Sequence, residues 1–164
     1  MLEWVEAGRF ETFVSENGVV AVVDYAHTPD ALDNVLSTLQ EIKHDGRIIC
    51  VVGAGGDRDR TKRPEMAAIA VQKSDVVYLT SDNPRSEDPE AIIADMLEGV
   101  EPEKRSMVRT VVDRKLAMTE AVKNAIKGDV ILVAGKGHED YQEIKGVKHH
   151  FDDREIIKEL LKEY

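Results

Sequence analysis

The sequence predicts an α/β fold of three layers, a mostly parallel sheet with an N-terminal β-hairpin and flanking helices. Three observations carry this. Short apolar runs alternate with amphipathic segments along most of the chain. Several runs are continuous rather than alternating, the pattern of strands buried on both faces. Clusters of Gly, Asp, Arg and His follow the runs instead of preceding them. The 164 residues, 42% of them hydrophobic, suffice for one sizeable core and only one, so residues 1–164 are read as a single domain.

Residues 9–14 and 19–23 flank Glu16-Asn17-Gly18 and read as a hairpin, with Asn17-Gly18 supplying the two positive-φ positions of a tight type I′ turn. Thr28 can then cap a helix with Pro29 in its first position. Leu32, Val35, Leu36, Leu39 and Ile42 recur on one face of it, and Gly46 closes it. Residues 47–52 form a buried strand. Three more units follow: helix 64–71 before strand 76–80, helix 89–97 before strand 107–112, and helix 116–126 before strand 130–134. Such a series implies right-handed crossovers between parallel strands, a Rossmann-like arrangement. Residues 143–151, with a turn at Gly146, read as a ragged hairpin. Asp152-Asp153 then caps a last helix whose apolar face is Ile156, Ile157, Leu160 and Leu161.

Composition removes several functions. Lys and Arg number 22 against 32 Asp and Glu, a formal charge of -10 that repels a phosphate backbone and argues against nucleic acid as a partner. The single cysteine, Cys50, can form no internal disulfide and lies in an apolar strand, where it reads as a small core residue. Apolar stretches such as 19–23 and 130–134 are too short to span a membrane, and the N-terminus lacks a signal-peptide pattern, so a soluble, cytoplasmic protein is expected. A monomer is expected too, because the surface is strongly charged and the sheet accounts for the apolar faces.

In an open parallel sheet, ligands bind beyond the carboxyl ends of the strands. The segments following the five predicted strands after the first are Asp24-Tyr25-Ala26-His27-Thr28-Pro29, Gly53-Ala54-Gly55-Gly56-Asp57-Arg58-Asp59-Arg60, Ser81-Asp82-Asn83-Pro84-Arg85, Asp113-Arg114 and Gly135-Lys136-Gly137-His138-Glu139. All gather at one edge. Gly53 to Gly56 admit two readings, a sharp turn or an anion cradle. A dinucleotide fingerprint would need glycine at position 58 and finds Arg58, while Gly135-Lys136-Gly137 lacks the spacing and the Ser or Thr of a Walker A loop. His149 and His150 point to opposite faces of a strand, and His44 sits at a helix end, so no metal site is assigned. No G-x-S-x-G elbow is present. Arg58, Arg60 and Arg85 converging with Asn83 would clamp a carboxylate, and Asp82 and Glu139 add the opposite sign, which favours a zwitterion such as an amino acid. On the residues alone, a stand-alone nucleotide- or anion-binding α/β module stands as an alternative.

Gly8-Arg9-Phe10-Glu11, the segment from Asp24 to Pro29, Gly53-Ala54-Gly55-Gly56-Asp57-Arg58-Asp59, Asp82-Asn83-Pro84-Arg85 and Gly135-Lys136-Gly137-His138-Glu139 stand in an order that resembles the C-terminal domain of the Mur ligases, above all the members that add meso-diaminopimelate. The resemblance implies an ATP-dependent amide-bond-forming ligase of peptidoglycan precursor synthesis. Its N-terminal UDP-sugar domain and central ATPase domain are absent here, so the fragment alone would be inactive. ATP would phosphorylate the free carboxylate of the UDP-MurNAc-dipeptide, and the incoming amine would attack the acyl phosphate. Carried over residue by residue, the resemblance makes Asp82, Asn83, Pro84 and Arg85 the recognition loop for the amino acid, with Gly135 and Glu139 beside it and Arg58 on another carboxylate; no catalytic residue is assigned to this domain. It places Arg9, Asp24, Tyr25 and His27 near the nucleotide, and leaves ATP and Mg²⁺ mainly to the central domain, with no metal ligand here. Arg85 goes with meso-diaminopimelate, since lysine would leave its guanidinium without a partner. Lysine-adding and folate-polyglutamate ligases are the alternatives within the family. Ala54 stands where a larger residue or cysteine is common.

Overall fold

A computed structural model describes residues 10–43 and 45–164. Arg9, assigned above to the nucleotide, and His44, assigned to a helix end, lie outside the described residues.

Six strands form the main sheet: β1 (Phe10–Val14), β2 (Val20–Asp24), β3 (Ile48–Ala54), β4 (Val76–Ser81), β5 (Val108–Thr110) and β6 (Val130–Ala134). Their order across the sheet is β1-β2-β6-β3-β4-β5, with β1 antiparallel to β2 and every other neighbouring pair parallel. Helices cover both faces, which is why the strands read as unbroken apolar runs. In β3, Ile48, Cys50 and Val52 pack toward α1 (Pro29–Ile42), α2 (Lys62–Lys73) and α3 (Pro89–Leu97), whereas Ile49 and Val51 pack toward α4 (Arg114–Asn124) and α5 (Asp153–Glu163). Strand β6 divides the same way, Leu132 to one core and Ile131 and Val133 to the other. Cys50 is fully buried and burial pushes its thiol up to about 12, so the core reading holds. No helix among the described residues is long and apolar enough to cross a membrane.

The helix starts follow their capping residues. The Thr28 hydroxyl accepts from the Ala31 N–H at 3.2 Å with Pro29 opening α1. Asp113 accepts from the Leu116 N–H at 3.1 Å, which starts α4 at Arg114, two residues earlier than the apolar pattern indicates. Asp152 caps α5 as expected, accepting from the Arg154 N–H at 2.9 Å.

Three expectations need correction. The strand read over 107–112 shrinks to β5, because Pro102–Met107 winds into a 3₁₀ turn before it. The first hairpin carries no type I′ turn. Ser15 pairs with Val19 around a three-residue loop, Gly18 donating to the Ser15 carbonyl at 3.1 Å, and of the loop residues only Gly18 has a positive φ. The Ser15 hydroxyl accepts from the Val19 N–H at 3.0 Å and holds this wider loop, the kind that needs a single left-handed residue. The second hairpin, β7 (Tyr141–Ile144) and β8 (Val147–His150), is regular rather than ragged, and it has the I′ geometry: Lys145 and Gly146 have φ of 50° and 78°.

Candidate functional site

Strands β3 and β6 are neighbours, yet β3 passes the chain to α2 on one face while β6 passes it to β7, β8 and then α5 on the other. Their carboxyl ends therefore part, and a cavity of about 530 Å³ opens there. Arg58, Asp82, Asn83, Arg85, Gly135 and Glu139 line it, with Tyr25 and His27. A larger groove, about 810 Å³, lies between residues 12–17 and the end of α5; no residue predicted for a site lines it.

Pro84 and Asp24 support the cavity from outside its lining. A Cβ on Gly56 would stand 1.8 Å from the Pro84 carbonyl oxygen, and one on Gly53 would stand 2.6 Å from that of Thr80. Gly53 thus lets β3 pass close to β4, and Gly56 lets the following turn pass close to the loop after β4, a role that the sequence reading did not include. Asp24 Oδ2 accepts from the Ala26 N–H at 2.8 Å and shapes the turn that presents Tyr25 and His27, whose ring centroids lie 4.5 Å apart. Arg60 departs from the clamp read in the sequence. Its Nε reaches Asp95 Oδ2 on α3 at 3.2 Å, and its side chain is 69% exposed. A carboxylate one helix away outcompetes the cavity for it.

The loop of residues 82–85 is held by β7. The Arg85 N–H donates to the Glu143 carbonyl at 2.9 Å, and the Arg85 carbonyl accepts from the Lys145 N–H at 2.7 Å. This pairing fixes Arg85 at a φ of 53°, a left-handed value rare for arginine. Its guanidinium donates through Nη1 to the Gly56 carbonyl at 3.0 Å, and its Nε lies 3.5 Å from Glu143 Oε1. Asn83 Oδ1 accepts from Lys136 Nζ at 2.8 Å and from the Glu143 N–H at 2.9 Å, and Asn83 Nδ2 donates to Glu139 Oε1 at 3.4 Å. Asn83 is therefore a joint of the site as much as a surface of it.

Three cations were given no role in the sequence. Lys136 is fully buried between Asp82, Glu139 and Asn83. Burial lowers its pKa, against the pull of Asp82. Arg114 makes a buried bidentate pair with Asp153, at 2.9 and 2.7 Å, and donates to the carbonyls of Ser81 and Ala134, the last residues of β4 and β6. Arg63 joins Glu87 at 2.7 Å and Asp95 at 3.0 Å and donates to the Gly55 carbonyl at 3.1 Å. One signal for Arg114 and Lys136 is in the sequence: each follows a strand directly at the site edge, Lys136 between two glycines. Arg63 carries none, being one cation among several at a helix start.

Among the described residues, no group of three or more His, Cys, Asp or Glu side chains is arranged to hold a metal ion. His149 and His150 lie on β8, opposite Gln142 and Tyr141, and neither lines the cavity. What the cavity offers is a set of fixed charges of both signs with backbone groups between them, suited to binding and orienting a zwitterion.

Comparisons with known proteins show what the chain is similar to. UDP-N-acetylmuramoyl-L-alanyl-D-glutamate--2,6-diaminopimelate ligases of Parabacteroides distasonis and Cytophaga hutchinsonii are 61% and 59% identical to this chain over 157 and 162 residues, 94% and 98% of it. The aligned parts are 32% and 33% of those relatives, so the chain spans about a third of the length of the curated relatives it matches. A solved structure of a ligase of the same name superposes with a TM-score of 0.87 at 45% identity, covering 94% of this chain and 31% of that one. The family model described as Mur ligase, glutamate ligase domain, matches residues 8–137, a stretch that takes in every strand of the main sheet and all of the cavity's loops as far as Gly137, and on that match the chain belongs to the Mur ligase family.

Proposed function

We propose that residues 1–164 are one domain, the C-terminal amino-acid-binding domain of a UDP-N-acetylmuramoyl-L-alanyl-D-glutamate:meso-2,6-diaminopimelate ligase, a monomeric enzyme of the cytoplasm. The N-terminal UDP-sugar domain and central ATPase domain belong to the rest of that protein. The carrying observation is that Arg58, Arg85, Asp82 and Glu139 line one cavity, two cations and two anions drawn from three separate loops. Meso-diaminopimelate presents two ammonium and two carboxylate groups and complements such a set; lysine lacks the second carboxylate and would leave Arg85 without it. Asp82 and Glu139 receive the far ammonium, Arg85 and Arg58 the carboxylates, and Asn83, Pro84 and Gly135 fix the loops that carry them.

The domain's contribution to the reaction is positioning. It holds the amino acid so that its free amine meets the activated carboxylate of the UDP-MurNAc-dipeptide, which lowers the barrier by orientation. Tyr25 and His27, at the rim, face the nucleotide, with Asp24 setting their turn and Arg9 preceding β1. ATP and Mg²⁺ are held mainly by the central domain. The described residues of this chain provide no ligand set for the metal, and no step here runs through it.

An amide chemical-shift titration of the chain with meso-diaminopimelate, L-lysine and ATP tests the assignment. Shifts at Arg58, at residues 82–85 and at Glu139 with diaminopimelate but not with lysine are the expected result. In the complete enzyme, Arg85→Ala should lower diaminopimelate incorporation about a hundredfold or more. Equal response to lysine, or unchanged incorporation, would overturn it.

A further inference from the structure

We propose that Lys136 is a positioning residue for amino-acid recognition, an internal counter-ion that leaves the Asp82 and Glu139 carboxylates with one uncompensated negative charge between them, a seat for a single ammonium group. The inference deepens the preceding reading and rests on it for the identity of the ligand.

The geometry around the ammonium carries it. Lys136 Nζ has three protons; it donates to Asn83 Oδ1 at 2.8 Å and to the Tyr141 carbonyl at 2.8 Å, and it lies 3.2 Å from Asp82 Oδ1. Glu139 Oε1 is 3.7 Å away and is further tied to the site through Asn83 Nδ2. One buried cation therefore touches the β4 loop, the loop after β6 and the start of β7. Asp82 is divided between two surroundings: Oδ1 faces the ammonium, while Oδ2 lies 3.4 Å from where a Cβ on Gly135 would stand, on the cavity side.

Among the described residues, Lys136 is the cation within ion-pairing distance of Asp82 and Glu139. Arg114 is matched by Asp153, and Arg58 and Arg85, which also line the cavity, are paired with neither carboxylate. That leaves one ammonium against two carboxylates, and both carboxylates keep some exposure to the cavity, 10% and 23% of their side chains, while Lys136 has none. A ligand ammonium completes the charge balance. Without Lys136, the two carboxylates would stand at the cavity with no cation within ion-pairing distance, and their repulsion would displace them from the positions that seat one ammonium.

Meso-diaminopimelate affinity, from amide shifts, is measured in the native chain and in Lys136→Met, Lys136→Gln and Lys136→Arg. Lys136→Met and Lys136→Gln should bind at least tenfold more weakly than the native chain, and Lys136→Arg, which keeps the cation, should recover part of that loss. Folded Met and Gln variants that bind as tightly as the native chain, or an Arg variant no better than they are, would overturn the proposal. If no variant folds, the native chain decides: slowly exchanging Lys136 ammonium protons support it, whereas rapid exchange refutes it. Slow exchange in a native chain that does not respond to diaminopimelate would refute the substrate assignment and leave the counter-ion standing.

Discussion

Arg114 and Lys136 are both fully buried at the carboxyl ends of the strands, and both lose hydration to be there. Around Arg114, burial works against the charge but Asp153 outweighs it, and the pKa stays raised. Around Lys136, burial wins over Asp82, and the pKa is lowered. Geometry explains the difference. Arg114 directs a planar fork onto a carboxylate with no exposure at all and gives two further donors to strand-end carbonyls, so its charge is matched within the protein. Lys136 shares two carboxylates that also reach the cavity. A closed pair fixes the ends of β4 and β6 in place; an open one leaves capacity for a ligand.

The comparison breaks most sharply at Arg114. Arg114→Met strands Asp153 in a fully buried site and should cost about 3–5 kcal/mol, measured as a shift of the urea midpoint. Replacing Asp153 by Leu as well should return most of that loss, since a pair removed whole leaves no orphaned charge. Lys136→Met should cost less than Arg114→Met, because Asp82 and Glu139 can take a proton or water from the cavity. Equal costs for the two would mean that the Lys136 cluster is as closed as the Arg114 pair.

Arg63 offers an intermediate case. It is buried, but its partners Glu87 and Asp95 keep 27% and 20% of their side chains exposed. Hydrogen bonding from Arg63 holds the Glu87 carboxyl at about 2, well below its ordinary 4.5. A carboxyl depressed in the folded state contributes stability that is fully present above its unfolded value and is lost as pH falls through the folded one. The chain should therefore lose stability between about pH 4.5 and pH 2. Glu87→Gln should flatten that part of a plot of urea midpoint against pH. An unchanged slope would show the pair to be too well solvated to matter, and would set Arg63 apart from both of the other cations.

These three cations also mark what the sequence could convey. Strands such as β3 and β6 were legible because burial on both faces leaves an apolar run without interruption, and α1 because Thr28, Pro29 and a regular apolar face agree with one another. The site edge was legible because topology alone sends every loop of a parallel sheet's carboxyl ends to one side. Partners were not legible. Nothing in the local sequence says that Arg60 turns to Asp95 while Arg58 stays at the cavity, or that Arg114 meets a carboxylate 39 positions away. Pairing of that kind depends on where two loops fall after the core has closed, and Asp152-Asp153 shows it well: one aspartate caps α5 as its position implies, and its neighbour is taken by Arg114.

The smallest effect concerns the two hairpins. The loop between β1 and β2 needs one left-handed residue and has Gly18 there; the turn between β7 and β8 needs two and places Lys145 at the first, with φ of 50°. A lysine in that conformation is strained through its Cβ, and asparagine tolerates it better. Lys145→Asn should accordingly raise stability by about 0.5–1 kcal/mol, read from the urea midpoint. The substitution keeps the backbone N–H that donates to the Arg85 carbonyl at 2.7 Å, so it separates two ways in which the turn could act on the loop of residues 82–85. A gain in stability with the Arg85 amide resonance unmoved would show that the strain is confined to the turn, and that β7 holds Arg85 by pairing alone. A gain accompanied by movement of that resonance would mean that the turn presses on the loop, and that the left-handed Arg85 draws part of its geometry from Lys145. Either result bears on the contrast between the closed and open cations, because the same β7 backbone supplies the Tyr141 carbonyl that Lys136 uses.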